Sequence, residues 1–223
     1  VQTGDMSVLM EAVAGLRTTE ERKVALLRHI WRPQRFRFLL ERYAGISPQP
    51  KSRRQLLAIK DSLAHSEHNI GLRSAVEIED RITHLHDDSQ AAPISKTELD
   101  LLTCITQLRE TYPNILTQLQ DIAIDLPAIS VAIVRLEKRL EEIEKRGIDT
   151  GELMFESSYG RTSMEYYDGF VFGFYDNTGK DFSLIATGGR YDALTRRLGN
   201  GSELSAVGGV VRPDLLVKAR GQL

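Results

Sequence analysis

The sequence is poor in the features that mark several large classes of protein. Its single cysteine, Cys104, cannot form an internal disulfide, which is typical of proteins from a reducing compartment. No stretch approaches the roughly 18 consecutive apolar residues of a membrane-spanning helix. The first residues also lack the basic-then-apolar pattern of a signal peptide. These absences predict a soluble, cytoplasmic protein.

Neither sign of charge dominates the chain. It has 29 Lys and Arg against 31 Asp and Glu, a net charge of −2, which excludes a global attraction to nucleic acid or an anionic membrane. A basic cluster does occur early in the chain. Its ordinary interpretation is a solvated helix face, and contact with phosphates or an acidic partner is the alternative. The cluster consists of Arg32, Arg35, Arg37, Lys51, Arg53 and Arg54.

Motifs of the common nucleotide-binding, hydrolytic and metal sites are also missing. The sequence has no Walker loop, no GxSxG nucleophile motif and no Cys–His pair suited to nucleophilic catalysis. His65 and His68 lie three residues apart, and His84 and His86 precede two aspartates. No Cys or HExxH pattern adds further ligands. We therefore expect no metal site and no cofactor.

Residues 1–150 carry the apolar spacing of successive helices. Asp5 is placed to cap the first helix, Pro33 to begin a later one, and Gly45 to end it. Four Ser/Thr–Glu/Gln pairs match the capping-box pattern. They are Thr18–Glu21, Ser52–Gln55, Ser74–Glu77 and Ser95–Glu98. This part is predicted to be mainly helical.

The longest helix is predicted near the end of this part. An apolar stripe runs from about Pro127 to Arg146, and Gly147 follows in a position typical of a helix end. The most polar stretch, residues 87–93, is predicted to be a loop.

Residues 151–223 are richer in aromatic and β-branched residues and in glycine. Phe170, Phe172 and Phe174 alternate with other residues, which is the period of two expected of a strand. Strands are predicted at 152–156, 166–175, 181–187 and 204–211, with a turn at 176–179 and a helix at about 191–198. The second part, 151–223, is therefore predicted to be an antiparallel sheet crossed by one helix.

Three segments of this second part could carry chemistry. In residues 160–169, Glu165 beside Tyr166 and Tyr167 could hold a cationic amine and a polar ring; the alternative is a hairpin with one buried tyrosine. Gly188 and Gly189, predicted between a strand and a helix, would allow positive φ and close approach to a ligand.

The helix after these glycines would offer free N–H groups to an anion such as a carboxylate, and a tight strand–helix corner is the alternative. The third segment, 205–215, taken alone is a strand running into a helix that begins with proline.

Taken in this order, the three segments resemble the histidyl-tRNA synthetase family. Arg161 followed by residues 165–167 is similar to the family's arginine-then-acid-Tyr-Tyr histidine motif. Residues 188–192 match its second histidine-contact segment, and 206–208 resemble the start of the third class II signature. The resemblance implies an α+β fold, with a class II aminoacyl-tRNA synthetase-like antiparallel sheet and flanking helices. The first two signatures are absent, so the sheet is expected to be incomplete at the N-terminus.

Two departures from the family pattern bear on function. Arg212 stands where the third signature has a glycine, and Leu215 where it has the arginine that binds ATP. A leucine supplies no cation, and loss of such a group costs on the order of 10²–10³ in rate. The sequence also ends at Leu223, from which no anticodon-binding domain is expected. The resemblance is therefore closest to the regulatory subunits of ATP phosphoribosyltransferase, which are not enzymes themselves.

That resemblance implies a set of partners and a site. The partners are the short catalytic subunit of the first step of histidine biosynthesis, a further copy of the chain, and histidine as allosteric ligand, with no tRNA and no membrane. Glu165 is expected to pair with the ammonium or the ring of histidine, and a tyrosine hydroxyl to recognise the imidazole. The implied histidine site consists of Arg161, Glu165, Tyr166, Tyr167, Gly188, Gly189, Arg190 and Tyr191. Two alternatives stay open: a fragment of an active histidyl-tRNA synthetase, and a stand-alone amino-acid-binding module.

Overall fold

The computed structural model describes residues 1–59, 72–161, 165–176 and 183–221. The helices are α1 (Met6–Ala14), α2 (Glu20–Arg28), α3 (Pro33–Tyr43), α4 (Lys51–Ala58), α5 (Ala75–Gln90), α6 (Lys96–Gln107), α7 (Tyr112–Asp125), α8 (Ser130–Glu144), α9 (Asp192–Leu198) and α10 (Pro213–Ala219). The strands are β1 (Gln2–Asp5), β2 (Arg109–Thr111), β3 (Met154–Glu156), β4 (Phe170–Tyr175), β5 (Leu184–Arg190) and β6 (Val207–Val211). The prediction of a mixed α+β chain is confirmed.

The strands of the described residues form one sheet in the order β2-β3-β1-β4-β5-β6. All neighbouring pairs are antiparallel except β1 and β3, which run parallel. The predicted strands and helix of 151–223 are confirmed as β3, β4, β5, β6 and α9. Residues 177–179 of the predicted turn and 181–182 of the predicted third strand lie outside the described residues, as do His65 and His68.

Two strands occur where only helices were predicted. β1 lies in the middle of the sheet and β2 at one edge, and both belong to the first 150 residues. With four and three residues, each is too short for a period of two to stand out in the sequence. Their pairing with strands about 150 and 45 residues further along the chain decides their conformation. The division of the chain at residue 150 stays a prediction, although both parts contribute to this sheet.

Several helix ends are confirmed. The Asp5 carboxylate accepts the backbone N–H of Ser7 at 2.9 Å and caps α1. Pro33 is the first residue of α3, and Gly45, with φ of +77°, lies two residues after the end of that helix. Capping boxes occur at Ser74–Glu77 and Ser95–Glu98.

Two predicted caps are wrong, one by one position and the other by two. The side chain that accepts a hydrogen bond at the start of α2 belongs to Thr19, not Thr18. Helix α4 begins at Lys51, directly after Pro50, so Ser52 lies inside its first turn. Pro50 favours an earlier start because a proline fixes φ close to its helical value and has no N–H to satisfy.

The helix predicted from Pro127 to Arg146 is divided into two. A short 3-10 turn, Pro127–Ile129, precedes α8. The Glu11 carboxylate of α1 accepts the N–H of Ala132 at 2.8 Å, so a side chain from another helix caps the start of α8. The predicted apolar stripe is confirmed, because Ile129, Ala132, Ile133 and Leu136 are all buried.

The loop predicted at 87–93 is wrong up to Gln90, where α5 ends. Asp88 is held by ion pairs with Arg22 of α2 and Arg53 of α4, each at 2.5 Å. The Arg22 guanidinium also donates to the carbonyl of Ala92 at 2.7 Å. These contacts satisfy the last turn of the helix and so extend it through a polar stretch.

A buried polar contact joins the sheet to the helices. Arg139 of α8 forms an ion pair with Asp5 at 2.9 Å, donates to the Tyr112 hydroxyl at 3.1 Å, and lies 4.3 Å from the centre of the Phe170 ring. Burial lowers the pKa of Arg139 and is the largest single effect, but the Asp5 carboxylate and the Tyr112 hydroxyl together outweigh it, so this pKa is raised.

Removing the cation of this contact should destabilise the protein strongly. We expect Arg139→Met to lower the free energy of unfolding by about 3–5 kcal/mol, because the Asp5 carboxylate would stay buried without its partner. Urea denaturation followed by circular dichroism measures the loss. Arg146→Met is the control, since Arg146 pairs with Glu142 on the surface, where an ion pair contributes about 0–1 kcal/mol. Equal losses in the two variants would contradict this interpretation.

Candidate functional site

The two faces of the sheet differ in the side chains they carry. Along β4, Phe170, Phe172 and Phe174 project to one face, and Arg139 of α8 contacts the first of them. Gly173 and Tyr175 belong to the opposite face, because successive side chains of a strand alternate. The pairing register puts Gly189 of β5 on this opposite face as well. We call it the tyrosine face.

Glycines on this face leave room for tyrosine rings to lie against the backbone. A Cβ at Gly189 would be 2.7 Å from Cδ1 of Tyr167, and one at Gly208 would be 2.9 Å from the Tyr191 hydroxyl. A Cβ at Gly173 would overlap the Tyr159 hydroxyl. The three rings therefore occupy the space that side chains would fill at these strand positions.

The predicted role of Gly188 and Gly189 needs correction. Both residues lie within β5, and neither has positive φ. Gly189 allows Tyr167 to pack on the strand, and a Cβ at Gly188 would be 2.6 Å from the Phe172 ring on the other face. These two glycines allow close packing inside the protein, and positive φ at a ligand-binding turn is not what they provide.

Three of the predicted site tyrosines form one cluster. The ring centroids of Tyr166 and Tyr167 are 4.6 Å apart, and those of Tyr166 and Tyr191 are 5.5 Å apart. The Tyr166 hydroxyl donates to the Tyr167 hydroxyl at 3.5 Å. Tyr167 is buried while Tyr166 is 40% exposed. Burial and the neighbouring Tyr166 raise the pKa of Tyr167, so this hydroxyl is a neutral hydrogen-bonding group at physiological pH.

The charged members of the predicted site have partners of their own. Glu165 is exposed and lies 3.8 Å from Arg32. Arg190 donates from Nε to Asp192 at 2.7 Å and from Nη2 to the Ser205 hydroxyl at 3.1 Å. A ligand that used either residue would therefore compete with an existing contact.

Arg161 lies apart from these contacts, in the layer of α2 and α3. Its Nε donates to the Ile30 carbonyl at 2.9 Å, and its guanidinium carbon lies 5.3 Å from the Phe36 ring centre. Nη2 is buried and has no hydrogen-bond partner among the described residues. Burial lowers the pKa of Arg161 to about 10. The side chain lines a cavity of about 260 Å³ together with Thr103 and Ser158.

One residue of the site, Asp168, was not predicted. Its carboxylate accepts the backbone N–H groups of Asp192 and Ala193 at 3.1 and 2.5 Å. The start of α9, where a ligand carboxylate was expected, is therefore occupied by a carboxylate of the protein itself. Asp168 lies inside the strand predicted at 166–175, and its target 24 residues away is not visible in the sequence.

A cavity of about 540 Å³ on the tyrosine face is lined by other residues than the three tyrosines of the cluster. One part is lined by the Glu156 carboxylate, which accepts hydrogen bonds from the side chains of Gln2 and Ser158. Another is lined by Arg212, whose Nη1 donates to the Leu184 carbonyl at 3.1 Å. A carboxylate and a guanidinium in one cavity suit a ligand that carries both an ammonium and a carboxylate group.

Two tyrosine hydroxyls line the same cavity. Tyr175 donates to Tyr159 at 3.3 Å, and Thr187 lies on the adjacent strand. Burial, followed by the contact with Tyr175, raises the pKa of Tyr159. Sequence reasoning missed this pair. The alternation that places Gly173 opposite Phe172 could have placed Tyr175 on the same face as Gly173.

Across the described ranges, no group of three or more His, Cys, Asp and Glu residues could hold a metal ion. None of the helices in those ranges is long and apolar enough to cross a membrane.

Adding one methyl group at Gly189, on which the Tyr167 ring packs, should disturb the tyrosine cluster. We expect Gly189→Ala to lower the free energy of unfolding by about 1–3 kcal/mol, because its Cβ would meet both the Tyr167 ring and the Phe170 carbonyl. Urea denaturation gives the loss, and near-ultraviolet circular dichroism reports the tyrosine environment. Gly151→Ala is the matched control, since only the flexible Asp149 side chain is near. A stable Gly189→Ala variant with an unchanged tyrosine signal would show that the cluster does not depend on a glycine at this position.

Comparison with solved structures identifies the fold. A Bacillus halodurans protein described as an ATP phosphoribosyltransferase regulatory subunit/histidyl-tRNA synthetase matches with TM-score 0.54 and 19% identity, over 98% of this chain and 43% of that chain. Histidyl-tRNA synthetase from Nostoc sp. PCC 7120 matches with TM-score 0.54 and 15% identity, over 100% of this chain and 42% of that chain. The predicted class II synthetase-like fold is confirmed.

Comparison with curated sequences supports the same resemblance. ATP phosphoribosyltransferase regulatory subunits of Brucella canis and Brucella ovis are each 29% identical over 154 residues, which is 67% of this chain. The chain spans about 40% of the length of these relatives. The predicted resemblance to such regulatory subunits is confirmed.

A family model described as histidyl-tRNA synthetase matches residues 62–216, well over half of the chain. With this match added to the fold and the histidine-motif segments, the chain belongs to the histidyl-tRNA synthetase family.

Proposed function

We propose that the chain is part of a non-catalytic regulatory subunit of ATP phosphoribosyltransferase, the enzyme of the first step of histidine biosynthesis. The observation that carries the proposal is that its curated relatives are named as that subunit. In this role it would assemble with the short catalytic subunit in a hetero-oligomer, self-associate, support catalytic activity and transmit feedback inhibition by histidine. This role belongs to the cytoplasm, and it needs neither tRNA nor a membrane.

The absence of catalysis is proposed from Leu215. This half-buried residue of α10 stands where the family resemblance expects the arginine that binds ATP. Without a cation at that point, developing charge on the phosphates would lack its main stabilisation. Arg212 is not free to replace the missing arginine, because its Nη1 already donates a hydrogen bond to the Leu184 carbonyl.

The proposed ligand of the tyrosine face is histidine. The cavity lined by the Glu156 carboxylate and the Arg212 guanidinium suits the ammonium and carboxylate groups of an amino acid. The buried Tyr167 hydroxyl can form a hydrogen bond with a neutral imidazole. Glu165 would then meet the ammonium or the ring, with Arg190 and Tyr191 at the border and the backbone of Gly188 and Gly189 in the wall. Arg161 belongs to the predicted site as well, but its side chain lines the cavity of about 260 Å³ in the helical layer, so we assign it no direct contact with this ligand.

Feedback regulation sets a further requirement. Histidine must bind one state of the complex more tightly than another, because a ligand with equal affinity for both states shifts no equilibrium. The contact between Glu165 and Arg32 is suited to such a difference. It joins the histidine motif to the N-cap of α3, so a ligand that takes Glu165 also releases a residue of the helical layer.

Reconstitution tests the proposal. The full chain is mixed with the short catalytic subunit, and turnover of ATP and phosphoribosyl pyrophosphate is measured with and without histidine. Stimulation by the chain and inhibition by histidine are expected. Formation of histidyl-adenylate by the chain alone would favour the synthetase alternative. Histidine binding with no effect on the catalytic subunit would favour a stand-alone binding module. Either result would overturn the proposal.

A single hydroxyl tests the site. We expect Tyr167→Phe to weaken histidine binding by about tenfold, because loss of one hydrogen bond costs about 1–1.5 kcal/mol. Isothermal titration calorimetry gives the dissociation constant. Tyr43→Phe is the matched control, since Tyr43 lies on α3 against Arg22 and Arg42. Equal affinities in the two variants would remove Tyr167 from the proposed site.

A further inference from the structure

The exposed side of α3 carries an aromatic ring between two guanidinium groups. Arg35, Phe38 and Arg42 lie at positions i, i+3 and i+7 and so share one face of the helix. The guanidinium carbons of Arg35 and Arg42 are 6.0 and 5.8 Å from the centre of the Phe38 ring. Phe38 is 39% exposed. Together with Arg28 and Arg32 at the α2–α3 corner, these residues are called the arginine surface below.

The positive charge of this surface is largely unneutralised. Among the described residues, Arg28, Arg35 and Arg42 have no carboxylate within ion-pair distance. Arg32 reaches only the exposed Glu165, at 3.8 Å. The chain as a whole has a net charge of −2. The arginine surface is therefore a local concentration of cations that the overall composition conceals.

The pKa of His29, which lies between α2 and α3, shows that these cations act together. Its pKa is lowered by burial and then by the charges of Arg35, Arg32 and Arg28. Its Nδ1 is buried and has no hydrogen-bond partner among the described residues. Three arginines, from α2, α3 and the turn between them, thus lower the pKa of the same histidine. Their mutual repulsion would be reduced by the negative charge of a partner.

We propose that the arginine surface docks onto an acidic patch of the catalytic partner subunit, with Phe38 as the apolar anchor. This inference rests on the proposed function, which supplies the partner. Arginine and aromatic residues are enriched at the centres of protein interfaces, and a guanidinium binds a carboxylate through two parallel hydrogen bonds. Pre-formed stacking of both arginines on the ring reduces the side-chain entropy lost on binding.

The surroundings favour a protein partner over a nucleic acid. Glu165 lies within the arginine surface, 3.8 Å from Arg32. A continuous phosphate backbone would be repelled by this carboxylate. Separate carboxylates of a protein surface can each pair with one arginine and avoid Glu165.

The test compares two arginine-to-glutamate variants of the full chain. Arg35→Glu reverses one charge of the arginine surface, and Arg146→Glu makes the same change at the exposed end of α8. Binding to the catalytic subunit is measured by calorimetry at low and high salt. We expect Arg35→Glu to weaken binding by tenfold or more and to reduce its salt dependence, while Arg146→Glu leaves both unchanged. Phe38→Ala should weaken binding without changing the salt dependence.

Each other outcome has a defined meaning. If the unmodified chain binds and Arg35→Glu binds as well as Arg146→Glu, the proposed function stands and the arginine surface is not the interface. If the unmodified chain fails to bind the catalytic subunit, the proposed function and this interface are both overturned. If the Arg35→Glu variant still binds the catalytic subunit but no longer binds a single-stranded RNA that the unmodified chain binds, the surface is a nucleic-acid site and this interface is overturned. Circular dichroism and thermal unfolding verify that each variant is folded.

Discussion

The buried ion pair of Asp5 and Arg139 connects the layers of the molecule. Asp5 ends a central strand, caps α1 through Ser7 and neutralises a guanidinium from α8. Arg139 reaches Tyr112 at the start of α7 and lies on the Phe170 ring of the sheet. Two charges taken out of water are stable only when each meets the other and their remaining hydrogen-bonding groups are used. The position of the sheet relative to three helices therefore depends on this contact.

With one face of the sheet fixed against helices, the other is available for a ligand. On this tyrosine face, glycines of the strands lie beneath the tyrosine rings, and the polar groups come from tyrosines, Glu156 and Arg212. Because the glycines bring rings close to the backbone, the tyrosine hydroxyls are held by packing rather than by charge. Such rigid, neutral groups suit recognition of a small amino acid. On the helical side, three arginines of α2 and α3, Arg28, Arg35 and Arg42, have no ion-pair partner among the described residues.

Local sequence signals predicted those features that depend on neighbouring residues. Capping boxes at Ser74 and Ser95 are formed within one turn, and the alternating phenylalanines of β4 need only the pleat of their own strand. The α+β class and the family followed from the order of three short motifs. Signals that depend on distant partners failed. The cap of α8 comes from Glu11, and the end of α5 is extended by Arg22.

The sequence alone determined the candidates for function: the Glu-Tyr-Tyr segment, the paired glycines and the leucine at position 215. Only the tertiary structure decided what surrounds them. It showed that Asp168 already occupies the start of α9, that Gly189 holds a ring, and that Arg161 lies in the helical layer. The reason is physical. A residue's type and close neighbours set its chemistry, whereas its solvation and partners come from chain segments tens of residues away, which only the packed fold brings together.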